Sequence, residues 1–103
     1  MDLNDTIKNV CDEIVKNFNP EKVILYNVKR SVDGEIRGFK ICVIVDTKNK
    51  FDTEKHIYLD IDSDIPFDVL VYTPAEWAEL ISEKSSFACR IIKEGTYIHG
   101  ETT

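Results

Sequence analysis

VILYNVKRSVDGEIRGFKICVIV, Val23 to Val45, is the stretch on which the fold depends: two runs of strand-like sequence with Asp33-Gly34 between them. Asp-Gly between such runs is a strong short-range signal for a two-residue hairpin, because both central residues take positive φ. A turn centred there sets Val28 opposite Phe39, Asn27 opposite Lys40, Tyr26 opposite Ile41 and Leu25 opposite Cys42, a mostly apolar and aromatic ladder. The same register sets Arg30 against Arg37. That like-charge pair predicts fraying toward the tip or a bulge that breaks the register.

Working outward, the segment before the hairpin places Leu3, Ile7, Val10, Cys11, Ile14, Val15 and Phe18 at helical spacing, with Asp2 or Asn4 as N-cap and Asn19-Pro20 as the stop. After the hairpin, Asp46 to Lys50 is turn-like, and Phe51 to Leu59 is read as a short helix, the alternative being a strand over Ile57 to Leu59. Ile65 to Tyr72 reads as an apolar strand buried on both faces, interrupted by Asp68, with Pro66 tolerated near its start. Thr73-Pro74-Ala75-Glu76 is a capping box with proline at the first helical position, opening a helix that carries Trp77, Leu80 and Ile81 inward. Ser85 is read as the cap of a helix over Phe87 to Lys93, with Gly95 as a left-handed stop and Tyr97 to His99 as a last edge strand. The order predicts an α/β (α+β) fold: a mixed sheet around a long central hairpin, with helices packed on it.

With 103 residues the chain reads as one domain over residues 1–103, able to bury roughly 65% of its unfolded surface. Thirteen basic residues against nineteen acidic ones give a net charge of −6, which repels phosphate backbones and excludes general nucleic-acid binding. Cys11, Cys42 and Cys89 lack C-x-x-C spacing and sit among apolar residues, so they are read as buried reduced thiols. The opening MDLNDTIK is acidic and amphipathic, and no run approaches the ~18 residues of a membrane span. A soluble cytoplasmic protein is expected.

Asn19 to Tyr26, Ile41 to Thr47, Ile65 to Pro74 and the closing Phe87 to Gly95, in this element order, resemble the small prokaryotic nucleotidyltransferase domains of the DNA polymerase beta superfamily. The resemblance implies a nucleotidyltransferase-like scaffold over nearly the whole chain. It also implies a Gly-Ser turn after the first strand and two aspartates, one residue apart, opening the second, with a third on a later strand. Those positions fall here on Asn27 and Val28, on Gly38 and Lys40, and on Asp68. Only Asp68 retains its type.

Two-metal nucleotidyl transfer needs several carboxylate oxygens to hold ions about 3.5–4 Å apart. One aspartate does not hold that pair, and a lysine ammonium repels Mg²⁺ and offers no lone pair. Asn27 and Val28 add bulk and remove a hydroxyl where a triphosphate would approach. A register slip restores nothing, because Arg30 to Phe39 contains only Asp33 and Glu35 as carboxylates. No metal site and no cofactor are expected. Lys40 is expected to pair with Asp68 in the metal's place, the simpler alternative being Asp68 at a solvated sheet edge and Lys40 in water.

Lys29, Arg30, Arg37 and Lys40 cluster at the open end of the hairpin, either as a site for a nucleotide phosphate or an acidic partner, or as a solvated tip. His56 and His99 have no ligand-spaced neighbours for zinc. Asp60, Asp62 and Asp64 lack the glycine and terminal glutamate of an EF-hand and read as a polar turn. Trp77 reads as core, and Ser85 and Ser86 as capping residues.

Three functional classes follow. The first is a catalytically degenerate interaction module; the resemblance implies an antitoxin-like pairing with a helical HEPN-type protein. The second is a nucleotide-binding sensor using Lys29, Arg30 and Arg37. The third is a residual nucleotidyltransferase that recruits Mg²⁺ and a nucleoside triphosphate through Asp68 and another carboxylate such as Asp46, Asp60 or Asp62. A homodimer through the Tyr97 to His99 edge or the hairpin tip is a further expectation.

Overall fold

In the computed structural model, which describes residues 4–102, four helices flank a four-stranded mixed sheet. The elements are α1 (Asp5–Phe18), β1 (Lys22–Arg30), β2 (Ile36–Ile44), α2 (Lys50–Asp60), β3 (Phe67–Tyr72), α3 (Pro74–Ile81), α4 (Phe87–Glu94) and β4 (Thr96–His99). Strand order is β3-β2-β1-β4, with β2 and β3 parallel and the other two pairs antiparallel. The hairpin therefore supplies both central strands. Among the described residues, no helix is long and apolar enough to cross a membrane.

Alternation along the strands builds two cores. Val23 and Leu25, Phe39, Ile41 and Val43, and Val69 and Val71 face α1 and α2, where Ile7, Val10, Cys11, Ile14 and Ile57 meet them. Ile24, Cys42 and Ile44 face α3 and α4, against Trp77, Ala88 and Ile91. Asn4 caps α1 by accepting from the Thr6 and Ile7 amides, and Asn19 ends it at φ +48°. Asp2, the other expected cap, and Leu3 lie outside the described residues. The capping box of α3 forms as expected, with Glu76 N donating to Thr73 Oγ1 at 3.2 Å and Thr73 N donating to Glu76 Oε1 at 3.0 Å.

The hairpin departs from the expected two-residue turn. Val32 and Asp33 sit at the centre of a turn in which Gly34 N donates to the Ser31 carbonyl at 2.9 Å, and only Gly34 has positive φ, +89°. Ser31 N donates to the Glu35 carbonyl at 2.8 Å, closing a three-residue loop with glycine in the left-handed position. A shift between Lys29 and Arg30 then pairs Arg30 with Ile36, so the two arginines are not opposed and the expected bulge relieves them. Asn27–Lys40 and Val28–Phe39 pair as predicted. A second shift at Tyr26 replaces the other two expected pairs with Leu25–Ile41 and Ile24–Cys42. A one-residue slip exchanges the faces of a strand, so this bulge lets both halves of β1 match β2.

Other local expectations are corrected by tertiary contacts. Ser86, not Ser85, caps α4: its Oγ accepts from Cys89 N at 3.1 Å and donates to the Leu80 carbonyl at 2.7 Å. Gly95 is extended, φ −88°, so it is no left-handed stop. It is needed for space, since a Cβ there would lie 2.5 Å from the Ile91 oxygen and 2.7 Å from Ile24 Cγ2. β3 is an edge strand: Val69 and Val71 are buried, whereas Leu70 and Tyr72 are half-buried and Asp68 is exposed. Cys11 and Cys42 are buried, and burial pushes both thiols up to about 12, Asp12 adding to the effect at Cys11. Cys89 is only half-buried, its thiol donating to the carbonyls of Ile81 and Glu83.

Candidate functional site

Parallel pairing of β2 with β3 sets Phe39 beside Phe67, Lys40 beside Asp68 and Ile41 beside Val69. On the other side of β2, β1 sets Asn27 beside Lys40 and Lys29 beside Gly38. The positions singled out in sequence therefore converge on three adjacent strands. Several of them line a depression of about 160 Å³. Its charged lining is Lys29, Arg37, Lys40 and Asp68; Phe39, Pro66 and Phe67 supply apolar lining, with Gly38 between them.

Three cations around one carboxylate make this a locally positive site on an acidic chain. Arg37 reaches Glu35 at 3.8 Å, with both side chains about two-thirds exposed. No ion pair within 4.0 Å joins Lys40 to Asp68, although their register and shared face are those expected. Asp68 is exposed and keeps its water, so no buried carboxylate requires a counter-charge. Its field still reaches Tyr26, whose hydroxyl is pushed up to about 12, mainly by burial, with Cys42 and Asp68 adding to it.

Not every candidate joins the site. Asn27 is exposed and Val28 packs toward the α1–α2 core, and neither lines the depression. Arg30 instead donates through Nη1 to the Gly34 carbonyl at 3.1 Å, fastening the turn. The apolar contributors Phe39, Pro66 and Phe67 were not predicted for the site, and nothing in their local sequence marks them for it. Phe39 stacks on Phe67 at 5.4 Å, which brings the apolar lining together.

The donor set does not fit a metal pair. Gly38 has no side chain, Lys40 is a cation, and Asp68 alone offers oxygens. Among the described residues no three of His, Cys, Asp and Glu converge as a metal cluster. His56 lies 3.6 Å from Asp52 one turn away on α2.

A second surface feature was missed in the sequence. Along α2 only Ile57 is fully buried, while Phe51 is 73% and Leu59 66% exposed. A signal was present: Phe51, Ile57, Tyr58 and Leu59 do not fall on one helical stripe, so a single buried face cannot cover them all. Tyr58 turns to the sheet, its ring 5.7 Å from Phe67 and its hydroxyl accepting from Val69 N at 2.7 Å. Compared with family models, curated proteins and solved structures, the chain has no match.

Proposed function

We propose that this chain is a non-catalytic interaction module on a degenerate nucleotidyltransferase-like scaffold, an antitoxin-like partner of a helical HEPN-type protein. The observation that carries the reading is the outer face of α2. Phe51, Lys55 and Leu59 follow one another at one-turn spacing, and both apolar members are exposed. Such a ridge fits the groove of another helix. The non-catalytic half is supported by Lys40 standing beside Asp68 and Gly38 on the lining of the same depression, where a metal pair would need carboxylates.

The test is co-expression with a HEPN-type protein from the same genome. Co-elution of a complex with wild type, lost in Phe51→Asp/Leu59→Lys, is expected; equal binding by the variant, or no complex, overturns the assignment. Mg²⁺-dependent nucleotide transfer abolished by Asp68→Ala would overturn the non-catalytic half.

The positive depression supports a second reading, a nucleotide-binding sensor. Lys29, Arg37 and Lys40 offer three cations to a phosphate without any metal. An amide NMR titration with ATP, with and without Mg²⁺, tests it. Saturable shifts at Lys29, Gly38 and Lys40 that need no Mg²⁺ support the sensor, and silence there up to millimolar ATP removes it.

A further inference from the structure

Lys40 and Asp68 stand side by side on β2 and β3, and Lys29 of β1 stands opposite Gly38 of β2. Alternation puts all four on one face of the sheet, because their neighbours Val28, Phe39, Ile41, Phe67 and Val69 turn to the α1–α2 core. With strands about 4.8 Å apart and same-face neighbours about 6.6 Å apart along a strand, Lys29 and Asp68 are about 12 Å apart at the backbone. Gly38 leaves the floor between them open, and a Cβ there would come within 3.4 Å of the Pro66 oxygen. Arg37 adds a third cation to the lining. Among the described residues, no ion pair within 4.0 Å involves Lys29, Lys40 or Asp68.

A cation and a carboxylate on adjacent strands complement the carboxylate and ammonium that an α-amino acid carries on one carbon. The further cations, Lys29 and Arg37, complement a second carboxylate a short chain away. A nucleoside triphosphate matches this pattern less closely, since it has no ammonium for Asp68 and sets phosphate charge beside that carboxylate. Most of its bulk would also lie outside a depression of about 160 Å³, well below the ~300–1,000 Å³ of pockets for drug-sized ligands. We propose that the depression binds an acidic α-amino acid, of the aspartate or glutamate class. Its ammonium meets Asp68, its α-carboxylate meets Lys40, and its side-chain carboxylate crosses Gly38 to Lys29 and Arg37. The inference rests on the sensor reading only in taking the depression as a ligand site, assigns that ligand a different chemistry, and does not need the helical partner.

Amide NMR titration of the full chain with L-aspartate and with L-glutamate, into the millimolar range at constant ionic strength, tests the assignment. Saturable shifts are expected at Lys29, Gly38, Lys40 and Asp68 with at least one of the two. Succinate and glutarate, which keep both carboxylates and lack only the ammonium, should bind about tenfold more weakly. Asp68→Asn should abolish that preference by weakening the amino acids while sparing the dicarboxylates, and Lys40→Ala should weaken all four. The same spectra show that each variant is folded. Silence with both amino acids, dicarboxylates bound as tightly as amino acids, a preference unchanged in Asp68→Asn, or binding unchanged in Lys40→Ala overturns the proposal. A parallel titration with ATP separates it from the sensor reading: amino-acid shifts with ATP silent remove the nucleotide sensor and leave this assignment, and ATP shifts with the amino acids silent do the reverse.

Discussion

Removing one oxygen from Tyr58 tests how the outer edge of the sheet is closed. The carbonyls of Pro66 and Tyr72 accept from Phe39 N and Val45 N in and beside β2, so alternation turns Val69 N–H outward. Tyr58 on α2 receives that amide at 2.7 Å, occupying a donor that would otherwise be open to a foreign strand. Tyr58→Phe keeps the ring against Phe67 and deletes only the acceptor. A hydrogen bond of this kind contributes about 0.5–1.5 kcal/mol net. Tyr58 is 42% exposed, so water replaces part of the lost contact, and the lower half of that range is expected. For a chain of this size, 0.5–1 kcal/mol corresponds to a fall of roughly 2–8 °C in Tm. Urea unfolding measures the loss, and amide hydrogen exchange locates it: Val69 should exchange faster, while Leu70, whose amide turns toward β2, should change little. An unchanged urea midpoint together with unchanged exchange at Val69 would refute this account of the edge.

Three further outcomes are expected. Gly95→Ala should cost about 1–3 kcal/mol, because its Cβ meets the Ile91 oxygen and Ile24 Cγ2, both held in the core; Gly38→Ala, whose Cβ meets only the Pro66 oxygen at 3.4 Å, should cost less, and equal losses in urea unfolding would contradict the packing argument. Glu76 is held below its ordinary 4.5, first by its hydrogen bond from Lys50 at 2.8 Å and then by the Thr73 amide. Its lowered folded value means that its charge stabilises the fold above pH 4.5, and that this is lost as pH falls through the folded value. Glu76→Gln, which keeps an acceptor for Thr73 N, should therefore lose about 0.5 kcal/mol at pH 7 and match wild type in strong acid; a deficit independent of pH would point to packing instead. Lys40→Ala should change stability by no more than about 0.5 kcal/mol, as for a side chain without a charge partner, and a loss of several kcal/mol in the same assay would restore the Lys40–Asp68 pair.

Much of the architecture was legible because it rests on contacts between near neighbours in the chain. The capping box of Thr73 and Glu76, the Asn4 cap and the apolar period of α1 each join residues within about one helical turn. The hairpin was legible for the same reason, as was the like-charge clash of Arg30 and Arg37 that its bulge relieves. For the site, Lys29, Arg37, Gly38, Lys40 and Asp68 were all named from sequence, and the antiparallel and parallel registers of β2 bring them together.

Tertiary structure decided the rest. Nothing local marks the Tyr26 bulge, which arises because both halves of β1 must face cores formed by distant helices. Gly95 reads as a left-handed helix stop, yet what requires it is space, against the Ile91 oxygen of its own helix and the side chain of Ile24 more than seventy positions away. Strand order makes β3 an edge and Asp68 exposed, without an ion pair to Lys40 although the register sets the two side by side, and the packing of α2 places Tyr58 where its hydroxyl seals Val69. The apolar lining from Phe39, Pro66 and Phe67 likewise exists only once β2 and β3 lie side by side. Sequence by itself determined which elements form and which residue types line the hairpin end. Whether those residues pair, stay solvated or face a partner depended on which strands became neighbours, an outcome of long-range burial.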